Sequence, residues 1–168
     1  MMPKFYIILF CLFNSLLAQS QGSAEEYGLK IYDLIMTGNA ALTDEFVDLN
    51  QYTSYIDRLE KLPQEEKEAI KADASKSYTE VKQNFNAECQ KIVKLYSLNS
   101  RAGSTFEFTN CTFTQSKNFP DIGFVTCYYV ANIPVEEEPL EDAFVFECLK
   151  TENGWRILDG FFDAPEIN

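Results

Sequence analysis

Histidine is absent from this chain. Its absence removes Ser-His-Asp and Cys-His nucleophile sets and any histidine-bound metal. The five cysteines include no Cys-x-x-Cys pair, so a dithiol redox motif and a zinc knuckle are both missing. What remains is acid–base work by carboxylates and tyrosines. One acid stands out: Asp159, in NGWRILDGFF (153–162), where its neighbours are apolar or aromatic. Pointing inward among Phe146, Trp155 and Phe161, it would lose hydration and its pKa would rise. It could then carry a proton or anchor a ligand, with Tyr128 as a hydrogen-bond donor. Placed at a strand bend or sheet rim, it would be solvated or accept a structural hydrogen bond. Both placements are open, and a lone acid seldom makes a site. The expected ligand-binding set is Phe146, Trp155, Asp159, Phe161 and Tyr128. Asp159 is the single catalytic candidate, and no metal or cofactor is expected.

The densest charge is Val135-Glu136-Glu137-Glu138-Pro139-Leu140-Glu141-Asp142. A calcium loop needs spaced oxygen ligands and a glycine turn, and neither is present. The run reads as a solvated hairpin tip. Phe106, Phe108, Phe113, Phe124, Tyr128 and Tyr129 could line a pocket or fill a core. Asn110-Cys111-Thr112 matches the N-glycosylation sequon, which has meaning only in a eukaryotic secretory pathway.

These residues belong to a chain of 168, 46% of it hydrophobic and 14% aromatic, enough for one well-packed domain. The formal net charge of -12 makes nucleic acid and anionic membrane surfaces poor partners. Residues 1–20 read as a secretory leader. Lys4 precedes an apolar run, Phe5 to Leu17, that is too short to span a bilayer. Cleavage is expected after Ser20, with Ala18 as the alternative, leaving one domain over 21–168, secreted or periplasmic, with no membrane span. Past Cys11 in the leader, Cys89, Cys111, Cys127 and Cys148 form an even set that suggests two disulfides.

The domain divides into helices over about 24–99 and strands over about 104–162. A first helix runs from Ala24 to Thr37, with Tyr27, Ile31, Leu34 and Ile35 on one face. Thr43 reads as the N-cap of a second helix that continues to Pro63. The third carries Ile70, Ala74, Tyr78, Val81, Phe85, Cys89, Ile92 and Tyr96 in steps of four and three. From Pro63 to Leu98 it spans roughly 50 Å, with polar first turns that could project past the core. Four strands follow: Ser104–Gln115, with a phase slip near Thr109-Asn110 that predicts a bulge, then Ile122–Asn132, Glu141–Thr151 and Trp155–Phe162. Successive hairpins make an antiparallel meander, so the fold class is α+β.

With Asn153-Gly154 as a two-residue turn, Cys148 faces Asp159 and Phe146 faces Phe161. Phe144, Phe146, Cys148, Trp155, Ile157, Asp159 and Phe161 then share the face that meets the helices. Val145, Glu147, Leu149, Arg156, Leu158 and Phe162 share the other, apolar enough for partial cover or a homodimer contact. The same arithmetic puts Cys111, Cys127 and Cys148 in a row across three strands. Its outer members would lie about 9.6 Å apart, beyond disulfide reach. Two connectivities survive: Cys127–Cys148 with Cys89–Cys111, or Cys111–Cys127 with Cys89–Cys148. Either one staples the long helix to the sheet.

Helices leading into a meander that closes on Asn153-Gly154-Trp155-Arg156-Ile157, followed by Asp159-Gly160-Phe161, resemble the nuclear transport factor 2-like superfamily, the fold of ketosteroid isomerases. The nearest likeness is to secreted, uncharacterised bacterial members. The resemblance implies a cone-shaped sheet, hollow at one end. It carries no catalytic residue across, because no catalytic motif of the family is matched. One departure is that the family sets a short strand between its second and third helices, where Gln51 to Pro63 here reads as helix. The functional expectation is an exported, non-enzymatic module that binds a small apolar ligand or a protein partner. The alternative is an acid–base enzyme of isomerase or dehydratase type, using Asp159 and a tyrosine in the cone.

Overall fold

The computed structural model describes residues 22–163; the leader, its cleavage sites and Cys11 lie outside the described residues. Helix α1, Ala24–Met36, opens on a capping box in which Ser23 Oγ accepts from Glu26 N–H and Glu26 Oε2 accepts from Ser23 N–H. It buries Tyr27, Ile31 and Ile35, the face read from the sequence, with Leu34 partly buried beside it.

The expected second helix is replaced by three pieces. Asn39 caps a 3-10 turn, Ala40–Glu45; an extended pair, Phe46 and Val47, follows; then comes α2, Leu49–Arg58. Asp48 caps α2 and forms a capping box with Gln51, so the helix starts there and not at Thr43. Tertiary bonding explains the break. Val47 N–H donates to Ile157 O at 2.8 Å, and Phe46 makes an isolated parallel bridge to Ile157. Helical periodicity gives way to an edge hydrogen bond that a helix could not make.

Helix α3, Gln64–Arg101, has 38 residues, about 57 Å of rise. Its polar first turns, expected to project, are met by α2: Lys67 Nζ donates to Asp57 O, and Lys71 pairs with Asp57 at 2.8 Å. Further along, Phe85, Cys89 and Tyr96 are buried.

Strands β1 (Thr105–Gln115), β2 (Ile122–Asn132), β3 (Leu140–Thr151) and β4 (Gly154–Asp163) form an antiparallel sheet in the order β1-β2-β3-β4. The architecture is α+β, helices first and then a curved, unclosed meander. The predicted bulge in β1 is present, between Phe108 and Asn110. On β4 the register differs from expectation. Gly154 has φ 101°, and among the described residues no non-glycine residue has positive φ. Asn153 therefore cannot occupy a primed two-residue turn. The loop is Glu152-Asn153 with Gly154 paired to Thr151, and Cys148 faces Ile157 in place of Asp159. Two successive shifts leave Leu158 and Gly160 without a partner on β3. The expected pairing of Phe146 with Phe161 is thereby restored. Asp159, between the two bulges, turns to the opposite face and pairs with Glu147.

The cysteine row is corrected in the same way. Cys111 faces Cys127 and bonds to it. Cys127, however, faces Phe144, and Cys148 faces Gly123, four residues further along β2 and roughly 13 Å away. Cys127–Cys148 is therefore out of reach. Cys89 and Cys148 are buried free thiols, so neither expected staple between helix and sheet is formed. Rings hold α3 to the sheet instead: Phe85 stacks on Phe161, and Tyr96 meets Phe106 and Tyr129 edge-on.

Both faces carry buried side chains at the β3–β4 end. Val125, Cys127, Phe146 and Cys148 are fully buried on the inner face; Leu149, on the other, is equally buried. The partial cover expected for that outer face comes from within the chain. α2 packs against β3 there, after the Phe46–Val47 segment has passed along the β4 edge.

Candidate functional site

The expected ligand-binding residues do not share one cavity. Phe146 is a fully buried core residue, in ring contact with Phe161 at 6.0 Å. Trp155 is buried against Phe113, and its indole N–H donates to Gly22 O at 3.0 Å. Phe161 is half-buried over Phe85. Tyr128 lies half-buried on the outer face, opposite Asn110 and Ala143. Asp159 is exposed; its Oδ1 accepts from Gly160 N–H at 2.7 Å. Of the two placements open to it, the structure gives the solvated one, at a bulged bend. Even so, it lines a groove.

That groove, of about 670 Å³, runs between α2, the first half of α3 and the outer face of β3 and β4. Leu59, Ile70, Tyr78, Val81 and Leu158 make its walls apolar. Each wall follows from local sequence. The apolar stripe of α3 supplies Ile70, Tyr78 and Val81, and the Asp48 cap orients α2 so that Tyr52 and Tyr55 face inward. Tyr78 O–H donates to Val47 O at 3.2 Å and fixes α3 to the extended segment.

The lining also includes Glu147 beside Asp159. Burial, and then the Asp159 charge opposite, push the Glu147 carboxyl above the usual range. Tyr52 is raised by burial and by Glu147. Tyr55 is 1% exposed, its hydroxyl has no hydrogen-bond partner, and burial pushes it up to about 12.

A second groove, of about 410 Å³, lies between the later turns of α3 and the inner face. Leu95, Phe106, Ile133, Leu140 and Phe161 line it. Besides Glu88, Lys91 and Asn99 its lining holds a chain: the Tyr96 and Tyr129 hydroxyls share a 2.6 Å hydrogen bond, and Tyr129 O–H donates to Asp142 Oδ2 at 2.7 Å. In that arrangement Tyr96 O–H is the donor to Tyr129. Burial raises Tyr129 strongly, and its hydrogen bonds to Tyr96 and Asp142 add to the rise. Donor and acceptor capacity within the chain is therefore largely spent internally.

Sequence reasoning missed Glu147, Tyr52 and Tyr55, and read Tyr96 and Asp142 as an apolar stripe member and a hairpin-tip acid. The available signal was Glu147 itself, an acid between two apolar residues on its strand face. No group of three or more His, Cys, Asp or Glu among the described residues is placed to hold a metal ion. No described helix is long and apolar enough to cross a membrane. No family model, curated protein or solved structure matches this chain.

Proposed function

We propose that this protein is an exported binding module that holds a small apolar ligand in the groove between α2, α3 and the outer face of β3–β4. The observation that carries the reading is the groove itself. Its volume lies in the range of small-molecule sites, and its walls are apolar with a few polar groups converging at the floor. Export is read from the leader, and the Cys111–Cys127 bridge supports it, since such bonds persist in oxidising compartments. The order of helices before a meander supports the resemblance to the nuclear transport factor 2-like superfamily, and the helix Leu49–Arg58 keeps the departure from that family already read in the sequence. The fold hosts several functions and does not select among them.

The test is fluorescence of N-phenyl-1-naphthylamine added to the purified protein. Enhancement by the native chain and its loss in Ala74→Trp, which fills the groove from a half-buried position on α3, is the expected result. Equal enhancement by both proteins would move binding elsewhere. A second reading, acid–base chemistry, is favoured by one observation, the raised carboxyl of Glu147 opposite Asp159. Turnover of any substrate that Asp159→Asn abolishes would replace the binding reading with that one.

A further inference from the structure

We infer that the ligand of this groove is a cationic amphiphile, an apolar chain carrying one protonated amine; the inference rests on reading the groove as a binding site. The charged side chains in its lining are Asp73, Glu147 and Asp159; no lysine or arginine is among them. Asp73 lies at the rim, where Lys76 sits 3.5 Å away and both side chains are largely exposed. Glu147 and Asp159 are different. They oppose one another across β3 and β4, and among the described residues neither has a cationic partner. Like charges directly opposite in a sheet repel. Glu147 is half-buried against the apolar walls and Asp159 is exposed, so water screens the repulsion only from the Asp159 side.

A protonated amine relieves that repulsion. It brings one positive charge and three N–H donors to two carboxylates, of which only Asp159 Oδ1 is engaged, with Gly160 N–H. The ring of Tyr52 in the same lining suits a cation as well as an alkyl chain, while Tyr78 already has Lys82 Nζ over its ring at 6.0 Å. The unpartnered Tyr55 hydroxyl is a separate sign that the fold does not satisfy this lining by itself. An anionic amphiphile such as a fatty acid would meet three carboxylates and no lysine or arginine in the lining.

The experiment is displacement of N-phenyl-1-naphthylamine by decylamine, decanol and decanoate at pH 7, each below its micellar concentration. The chain length is constant and only the head group changes. Decylamine is expected to bind at least about ten-fold tighter than decanol, the worth of one charge-assisted hydrogen bond, and decanoate weaker than either. In Glu147→Gln/Asp159→Asn, amine and alcohol should bind alike. If the native protein binds decanol as tightly as decylamine, the cationic inference is overturned while the groove stands. If none of the three displaces the probe, the groove reading itself fails. If the double variant keeps the amine preference, another acid supplies it and the inference is wrong in its residues.

Discussion

Glu147 and Asp159 face each other as like charges on a sheet, an arrangement that costs stability. The carboxyl of Glu147 is raised in the folded state. Such a group binds more protons folded than unfolded through the window above its ordinary value. Its contribution to stability is therefore lost as pH rises through that window. Glu147→Gln should stabilise the protein at pH 7 by roughly 0.2–1 kcal/mol and leave it little changed at pH 4. Urea denaturation of both proteins at the two pH values measures the difference; an equal gain at both would assign the effect to packing. Burial pushes the Cys89 and Cys148 thiols up to about 12. Iodoacetamide at pH 8 should leave both unlabelled in the native protein and label both in urea. At this scale sequence gave the residue types and misplaced their directions. Asp159 was legible as unusual. Its face was not, because the bulges at Leu158 and Gly160 that turn it arise from pairing with β3.

Among the elements, α1 lies close against the sheet at Gly28. A Cβ there would lie 2.6 Å from Cys111 Sγ and 2.7 Å from Val125 Cγ1. Gly28→Ala should therefore destabilise by about 1–3 kcal/mol through overpacking, despite the better helix propensity of alanine. Removing the bridge itself, as Cys111→Ser/Cys127→Ser, opens a loop with a sequence separation of 16 and should cost about 3 kcal/mol. A guanidinium titration of each variant checks both values. The long helix and the four strands were legible because their periodicity is strong and local. The second helix was not: Phe46 and Val47 follow the β4 edge, a partner more than a hundred residues away in the chain. The hairpin turn failed by one residue for a backbone reason, since Gly154 and not Asn153 adopts the left-handed region.

For the molecule as a whole, the acidic balance and the α+β order were readable from composition and pattern. The candidate site was less so. It lies on the outer face, in a groove that exists only because the chain passes around the β4 edge and returns as α2. The detour of Phe46 and Val47 has one more consequence. The meander ends in β4 on one side, where Val47 already takes a backbone bond to Ile157, and in β1 on the other, where no described strand pairs beyond it. Strand addition thus meets an obstacle at Ile157 on one side and a free edge on the other. Two copies that pair β1 to β1 would use up the free edges and leave the ones that Val47 obstructs, which favours a closed two-fold pair over a fibre. At high concentration native mass spectrometry should find assembly stopping at two chains, and deleting the bond to Ile157 by Val47→Pro should let it run on.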